Sequence, residues 1–269
     1  MYSQAFASGI FDYRHYCNCM KPKILLVQFR INPIAIEQER ASIQREVGDT
    51  CEVGFVSALD KEIDWNFPEV LLEGYEGVIL GGSGDLDFDG GRPVDDEVRR
   101  ISYELVGQLH PFFTYLFDND IPTLGICYGH QILGAFAGAQ VHSDIVQKKV
   151  KSHEVKLLVD KNNYFLFTDL PDSFYAYYGH KDVLDRVPEG AVLLMNGGEC
   201  CQVSALQYRN NIYTVQFHPE LNFGDMLLRV KSSKGYLPEG VTVEEIFKDD
   251  PQSNVILRNF GRFVASRAN

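Results

Sequence analysis

The stretch IPTLGICYGHQILGAFAG, residues 121–138, changes its hydrophobic period at a single cysteine. Before Cys127 the apolar residues form a run typical of a buried strand, and after it they follow the spacing of a helix. Gly125 and Gly129 flank the cysteine at positions where a side chain would collide with the neighbouring strand or helix. The stretch therefore predicts a sharp strand-to-helix turn with Cys127 at its tip, the geometry of a nucleophile elbow.

A cysteine at such a turn has two interpretations. Free cysteine is among the most buried residue types, so Cys127 could be a structural residue of the core. A thiol at the start of a helix also lies at the positive end of the helix dipole, beside backbone N–H groups without acceptors, and this position favours the thiolate. The nucleophilic interpretation further requires a base and a group that orients the base.

The stretch TVQFHPE, residues 214–220, offers both of these groups. In an extended backbone His218 and Glu220 point to the same side, so the carboxylate can reach the imidazole and fix its tautomer. Taken alone, the trio His-Pro-Glu also fits an ordinary strand end. Together with Cys127 it predicts a triad of cysteine, histidine and glutamate.

Three motifs carry a resemblance to a known family. GICYGHQ at 125–131 and QFHPE at 216–220 resemble the two signature motifs of the class I (triad-type) glutamine amidotransferases. GVILGGSG at 77–84 resembles the strand and the oxyanion loop of that family. The motifs stand in the family's order, and the resemblance covers the span 23–220. It is closest to the amidotransferase domain of GMP synthase and to free-standing relatives such as the γ-glutamyl peptidases.

The resemblance implies hydrolysis of the γ-glutamyl amide of glutamine, or of a glutamine-like compound, through a thioester on Cys127. His218 would move the proton and Glu220 would orient it. The backbone N–H groups of Gly82 and Tyr128 are the candidate oxyanion donors, because they follow a strand end and begin a helix. This chemistry uses side chains and backbone alone, so we expect no cofactor.

Two further segments suggest contacts to the substrate. Gln131, one turn beyond Cys127, matches the family glutamine that helps to hold the substrate, although a buried glutamine can also cap a neighbour. Residues 179–182, Gly-His-Lys-Asp, resemble the family's Ser-His-Gly-Asp segment, with Gly for Ser and Lys for Gly. An isolated histidine at a strand end is often structural. We take Gln131, His180 and Asp182 as candidate substrate-binding residues.

The first half of the chain alternates strands with helices. Strands are predicted over 23–29, 51–58, 77–82 and 121–126, and helices over 33–47 and 95–118, the second kinked or split by Pro111. This pattern predicts an α/β fold with a mostly parallel central sheet flanked by helices. The resemblance implies a flavodoxin-like core. Ligand sites in such sheets form beyond the carboxyl ends of the strands, where the GGSG turn and Cys127 lie.

The second half has a different texture. Short strand-like runs separated by turn signals predict a smaller, partly antiparallel extension, and helix-like segments follow it. We expect an N-terminal extension over 1–22 and a single domain over 23–269, with the C-terminal helical segment 223–269 packing on it. The predicted strands cover 155–159, 174–179, 191–196, 203–208 and 212–217, and the helical segments cover 223–232, 242–248 and 251–266.

The acidic loop DLDFDGGRPVDD, residues 85–96, nearly matches a calcium-binding loop. Its twelfth residue is Asp96 instead of the long bidentate glutamate, and a strand precedes it instead of a helix. We therefore expect an acidic loop near the mouth of the active site. The six cysteines, at 17, 19, 51, 127, 200 and 201, fit neither a disulfide scaffold nor paired CxxC ligands, so no metal is expected.

Composition excludes several partners. The formal net charge of −12 argues against a nucleic-acid surface, which needs a basic patch. No apolar run is long enough to span a membrane, and residues 1–22 lack the pattern of a signal peptide. The cysteine spacing fits a reducing, cytoplasmic compartment.

Three functions stay open on these observations. The chain is a stand-alone hydrolase, a glutaminase subunit that delivers ammonia to a separate synthetase, or a non-catalytic binding or regulatory protein on the same fold. The intact Cys127, His218 and Glu220 disfavour the third. The segment after Glu220 is too short for a synthetase domain, and the long terminal additions and the altered segment 179–182 favour stand-alone action.

Overall fold

The computed structural model describes residues 21–232, 240–249 and 252–268. Within these residues the strands are β1 (Lys23–Gln28), β2 (Glu52–Ser57), β3 (Gly77–Leu80), β4 (Thr123–Ile126), β5 (Val141–Ser143), β6 (Lys149–Leu157), β7 (Ser173–His180), β8 (Asp182–Leu184), β9 (Val192–Asn196), β10 (Ala205–Tyr208) and β11 (Ile212–Val215). The α-helices are α1 (Pro33–Val47), α2 (Pro68–Leu71), α3 (Glu97–Gln108), α4 (His110–Asp118), α5 (Tyr128–Phe136), α6 (Phe223–Ser232), α7 (Val243–Ile246) and α8 (Asn254–Arg267).

Nine of these strands form one sheet in the order β2-β1-β3-β4-β11-β10-β9-β6-β7. The first five pair in parallel, and from β11 onward every pairing is antiparallel. The α/β fold and the mostly parallel central sheet are confirmed. The antiparallel part continues the same sheet. Strands β5 and β8 form a separate two-stranded ladder that the sequence pattern does not reveal, because three residues carry too little alternation.

The parallel strands are buried on both faces, as helices on either side of the sheet require. In β1, Ile24 and Leu26 belong to one hydrophobic cluster and Leu25 and Val27 to the other. The first cluster includes residues of α1 and α8, and the second includes residues of α4 and α5. This alternation explains why the strand reads as a continuous apolar run in the sequence.

The helix boundaries follow local signals. Helix α1 covers the predicted span, with Pro33 at its start and the Asn32 side chain accepting bonds from the backbone N–H groups of Ile34 and Ala35. The helix predicted over 95–118 is split into α3 and α4 at Leu109, with Pro111 in the first turn of α4. Proline suits a first turn because the N–H it lacks has no intrahelical acceptor there.

The strand register determines where the active-site elements meet. Strand β4 lies between β3 and β11, with Gly125 opposite both Leu80 and Thr214. All three strands run parallel, so their carboxyl ends lie at the same edge of the sheet. The chain leaves that edge at Gly81, at Cys127 and at Gln216.

Helix α8 packs on α1 at the other side of the sheet from α5. Of the predicted N-terminal extension, residues 1–20 lie outside the described part of the chain, as do 233–239, 250, 251 and 269 in the C-terminal segment. The cysteines at 17 and 19 fall in the first of these stretches. Among the helices that the structure describes, none has both the length and the apolar character needed to cross a bilayer.

Candidate active site

The predicted elbow is present at Cys127. The residue joins β4 to α5 with φ 52° and ψ −97°, a conformation that non-glycine residues rarely adopt. Its backbone N–H donates to Val215 O at 2.8 Å, and the residue is only 3% exposed. The strained backbone places the side chain at the tip of the turn, where α5 begins.

Close packing around the elbow explains the two flanking glycines. A β-carbon at Gly129 would lie 2.2 Å from Leu80 O, and one at Gly125 would lie 2.8 Å from Gly129 O. Neither distance is possible for a real carbon atom. Both glycines are therefore required for close approach between β4, α5 and β3, as the sequence predicts.

His218 follows β11 and forms hydrogen bonds to both of the other predicted triad residues. Its Nδ1 lies 2.7 Å from Glu220 Oε1, and its side chain is also hydrogen-bonded to Cys127. Burial opposes a charge on this imidazole, but the Glu220 carboxylate and Cys127 outweigh burial and raise the pKa of His218 to about 9. The structure thus joins Cys127, His218 and Glu220 in one chain of contacts.

Glu220 is 1% exposed and holds its charge through its partners. Burial opposes ionisation, but His218 and then Arg229 outweigh it and lower the pKa of Glu220 to about 2. Arg229 Nη2 lies 3.4 Å from Glu220 Oε1. Both shifts favour an imidazolium bound to a carboxylate, and the imidazole lies beside the Cys127 sulfur.

A second chain of contacts reaches the Cys127 sulfur from Gln216, the glutamine of the QFHPE motif. Gln216 Nε2 lies 3.7 Å from Cys127 Sγ and donates to it. Gln131 Nε2 in turn donates to Gln216 Oε1 at 3.3 Å and to the backbone oxygen of Asp182 at 2.8 Å. Gln131 thereby holds Gln216 in place, and its capping role is present in the structure.

The turn after β3 also borders the nucleophile. A β-carbon at Gly82 would lie 3.6 Å from Cys127 Cβ and 3.2 Å from His218 Cε1. The N–H of Gly82, however, donates to Glu39 Oε1 at 2.9 Å. Tyr128 is the first residue of α5, so its N–H has no acceptor within the helix. Of the two predicted oxyanion donors, one N–H is thus bound to a carboxylate.

Of the other two predicted substrate contacts, His180 is the last residue of β7 and Asp182 is the first residue of β8. The Asp182 carboxylate accepts bonds from the backbone N–H groups of Phe88, Asp89 and Gly90 at 2.9, 2.8 and 2.6 Å. His180 is 4% exposed and packs edge-on against Tyr178. Asp182 therefore holds the acidic loop, and a contact to substrate from either residue stays a prediction.

Comparison with known families decides the assignment. Residues 56–229 match the family model of the Glutamine amidotransferase class-I, a span that covers more than half of the chain and contains Cys127, His218 and Glu220. The chain belongs to the class I glutamine amidotransferases.

Its relatives within the class share part of their length with it. The glutamine-hydrolyzing GMP synthase of Caldicellulosiruptor saccharolyticus is 28% identical over 189 residues, which are 69% of this chain and 31% of that protein. A subunit of the glutamine-hydrolyzing GMP synthase of Methanocaldococcus jannaschii is 37% identical over 113 residues, 40% of this chain and 57% of that one. This amidotransferase therefore matches less than two thirds of the length of either relative.

The fold is that of solved amidotransferases. A glutamine amidotransferase from Thermotoga maritima superposes with a TM-score of 0.66 at 19% identity, over 90% of this chain and 97% of that one. A glutamine amidotransferase from Methylobacillus flagellatus gives 0.60 at 13% identity, over 92% and 94%. At these identities the likeness establishes the fold.

The acidic loop of this amidotransferase uses its carboxylates within the chain. Asp85 accepts from the backbone N–H of Ile31, and Asp96 caps α3. Asp87 binds both Arg92 and Lys181 at 2.9 Å. Across the part of the chain that the structure describes, no group of three or more potential metal-ligating side chains is placed to hold a metal ion.

Sequence reasoning missed two residues beside the nucleophile. Arg30 follows β1 and is 6% exposed, and its Nε donates to Glu39 Oε1 of α1 at 2.9 Å. Glu39 is 1% exposed and also accepts from Gln28 Nε2 at 3.0 Å. The available signal was a charged residue directly after a buried strand, at the sheet edge where sites form.

A cavity of about 120 Å³ opens beside these groups. Arg30, His218 and Arg229 line it, together with the turn at Ser83 and Gly84. Three side chains that carry or can carry positive charge thus border one small space, together with a single carboxylate, that of Asp85. Such a space suits a small ligand with an anionic group or a carbonyl that develops negative charge.

Proposed function

We propose that this amidotransferase hydrolyses the γ-glutamyl amide of glutamine, or of a glutamine-like compound, through a thioester on Cys127. The observation that carries the proposal is the chain of contacts from Cys127 through His218 to Glu220, located at a strained elbow. A thiol beside a charged imidazole is the arrangement of an activated cysteine nucleophile.

In the first half of the reaction, the Cys127 thiolate attacks the γ-carbonyl carbon. A carbon–sulfur bond forms, and the carbonyl oxygen takes the negative charge of the tetrahedral intermediate. The intermediate collapses as the carbon–nitrogen bond breaks, and His218 gives its proton to the departing amine. Glu220 keeps the imidazole oriented and stabilises its charged form. The products of this half are the thioester and the free amine, which is ammonia for glutamine.

In the second half, neutral His218 takes a proton from water, and the hydroxide attacks the thioester carbon. The carbon–sulfur bond breaks and the γ-carboxylic acid leaves, giving its proton to solvent to become the γ-carboxylate, so the thiolate and the imidazolium form again. The Tyr128 N–H is the proposed donor to the oxyanion in both halves. The Gly82 N–H, the second donor that the sequence predicts, is bound to Glu39 Oε1 in the structure.

We further propose that Gln131, His180 and Asp182 lie on the substrate side of the site. Support for Gln131 is its bond to Gln216, which donates to the nucleophilic sulfur. Support for Asp182 is its hold on residues 88–90 of the acidic loop. These contacts position neighbouring groups, and direct contact to the glutamyl moiety is tested by substitution.

Stand-alone hydrolysis is the first form of this proposal. The second is that the chain is a glutaminase subunit that delivers ammonia to a separate synthetase. The similarity to proteins named as subunits of GMP synthase favours this second form, because a subunit by name belongs to a larger enzyme. In both forms we place the reaction in a reducing cytoplasm, where a free nucleophilic thiol persists.

The experiment that separates the two forms measures amine release by the purified chain alone. Glutamine and a panel of γ-glutamyl peptides are offered, with Cys127→Ala as the control. Rapid release from one of them supports stand-alone hydrolysis. Slow release from all of them, with Cys127 still labelled by 6-diazo-5-oxonorleucine, supports a subunit that depends on a synthetase. Amine release that persists in Cys127→Ala contradicts the proposed chemistry.

A further inference from the structure

A buried cation lies beside the nucleophile, outside the residues that match the family model. Arg30 is 6% exposed, and Glu39 fixes its guanidinium by accepting from Nε at 2.9 Å. Arg30 Nη2 is fully buried and has no hydrogen-bond partner among residues 21–232, 240–249 and 252–268. A buried donor without an acceptor is costly, so its presence calls for an acceptor that arrives from outside the chain.

The position of Arg30 Nη2 indicates where such an acceptor would bind. Arg30 Nη2 lies 3.1 Å from the point that a Gly82 β-carbon would occupy. The same point is 3.6 Å from Cys127 Cβ and 3.2 Å from His218 Cε1. The guanidinium, the nucleophile and the imidazole therefore surround one point beside Gly82, and Arg30 and His218 also line the cavity.

Around that point the backbone offers fewer free N–H donors than an oxyanion hole usually has. An oxyanion hole needs donors aimed at the oxygen that becomes charged, and two are usual in acyl transfer. The Tyr128 N–H is one candidate. The Gly82 N–H is bound to Glu39 Oε1 at 2.9 Å. The Glu39 carboxylate that accepts from the Gly82 N–H also accepts from Arg30 Nε and holds that side chain in place.

We propose that Arg30 Nη2 is a catalytic oxyanion donor of this enzyme, and that Glu39 is the positioning residue that aims it. The inference rests on the proposed acyl transfer at Cys127. A guanidinium keeps its charge throughout the reaction, and charge-assisted bonds to an oxyanion are stronger than bonds from a neutral N–H. Burial disfavours this charge, but Glu39 and Glu220 outweigh burial and hold the pKa of Arg30 above its usual range.

Steady-state kinetics of Arg30→Met provide the first test. With the best γ-glutamyl amide, we expect kcat to fall on the order of 10²–10³-fold and KM to change little, as for other side-chain oxyanion donors. Arg258→Met is the matched control, because Arg258 also pairs with a buried glutamate of α1, Glu46, and does not line the cavity. A rise in KM at constant kcat would overturn the proposal and assign Arg30 to binding of a substrate carboxylate.

A second test needs no γ-glutamyl substrate. p-Nitrophenyl acetate transfers its acetyl group to the sulfur through a tetrahedral oxyanion and releases p-nitrophenolate, whereas iodoacetamide alkylates the same sulfur without one. We expect Arg30→Met to slow acetylation of Cys127 far more than its alkylation. Equal slowing of both reactions, or none, overturns the oxyanion role. Selective slowing in an enzyme that releases no amine from the panel and is not labelled at Cys127 by 6-diazo-5-oxonorleucine leaves this role standing and rejects the proposed substrate class.

Loss of Arg30 leaves Glu39 buried without its cation, which can unfold the variant. The double variant Arg30→Met/Glu39→Gln removes both charges together, and the introduced carboxamide still offers an oxygen to the Gly82 N–H. Circular dichroism of both variants confirms the fold before the rates are compared. If the folded double variant acetylates Cys127 at the wild-type rate, the proposal is wrong.

Discussion

Two buried pairs of opposite charge lie beside Cys127, and they differ in what the cation can do. Glu220 binds His218 on the β11 side, and Glu39 binds Arg30 on the β1 side. Both glutamates are 1% exposed. In each pair a buried carboxylate holds one basic side chain beside Cys127.

The difference lies in the proton. His218, with a pKa raised to about 9, can give up and regain a proton during a cycle, whereas a guanidinium cannot be deprotonated in a protein. One pair thus suits proton transfer, and the other suits a permanent charge. A buried carboxylate can therefore support either task, and its cationic partner decides which.

The largest expected effect on amine release comes from removing the nucleophile, Cys127, beside which both pairs lie. Cys127→Ala should lower amine release by at least ~10⁴-fold, because no covalent intermediate can form. Release of ammonia from glutamine measures this directly. Cys127→Ser is the companion variant, and near-normal activity of either one would show that neither pair acts through the sulfur.

Glu220→Gln and Glu39→Gln break the two pairs separately. We expect Glu220→Gln to lower kcat by ~10³–10⁴-fold, by analogy with loss of the orienting carboxylate in other triads. Glu39→Gln should cost about 10- to 100-fold through a displaced guanidinium. The pH profile separates them, because only Glu220→Gln removes the charge that raises the pKa of His218 and should move the alkaline limb to lower pH. A shift of that limb in Glu39→Gln would contradict the division of tasks.

The pH dependence of the wild type follows from the same pKa values. Amine release should fall about tenfold per unit as pH rises above about 9, where His218 loses the proton that it gives to the leaving group. The contribution of His218 to the stability of the fold should also fall as pH rises. A pKa raised above its unfolded value of ~6.5 stabilises the fold fully below pH ~6.5, and this contribution is lost as pH rises through about 9.

The contribution of Glu220 to the stability of the fold is lost as pH falls, opposite to that of His218. The pKa of Glu220 is lowered to about 2, so its contribution to stability is present above its unfolded pKa of ~4.3 and is lost as pH falls through about 2. Thermal unfolding of the wild type, compared with Glu220→Gln across this range, measures both limbs. A melting temperature that differs equally at every pH would show that the pair contributes no linkage.

The smallest expected effect concerns the elbow, on which both pairs converge. Gly129→Ala should destabilise the fold by ~1–3 kcal/mol, because its methyl group would press on Leu80 O. Gly107→Ala in α3 is the matched control, since a β-carbon there meets nothing within 4 Å. Alanine should stabilise that helix by ~0.5–1 kcal/mol. Equal unfolding free energies for the two variants would show that the elbow is looser than its contacts indicate.

The two pairs also differ in how far the sequence predicts them. His218 and Glu220 are two residues apart in a motif, and the alternation of an extended chain suffices to bring them together. Arg30 and Glu39 lie nine positions apart across a strand end and a helix start, and no motif marks them. Their contact depends on how α1 packs at the end of β1, which periodicity does not determine.

The same distinction explains the fate of the candidate substrate contacts. The elbow at Cys127 and its glycines are local features, and the structure confirms them. The task of Asp182 depends on a loop almost a hundred positions earlier, so its three backbone bonds could not be foreseen. Likewise, nothing in the sequence shows that Glu39 of α1 accepts a hydrogen bond from the Gly82 N–H. The sequence alone therefore assigns that N–H to the oxyanion.

Helix α8 has a consequence for transplanting the active site into another scaffold. The buried side chain of Asn254, at its first residue, donates to the backbone oxygens of Pro219 and Leu221, on either side of Glu220. The family match ends at residue 229, and it begins after Arg30 and Glu39. A graft of the matched segment would carry the triad without the carboxamide that clamps its glutamate or the guanidinium beside its sulfur. The minimal portable unit of this catalyst therefore extends from β1 to α8.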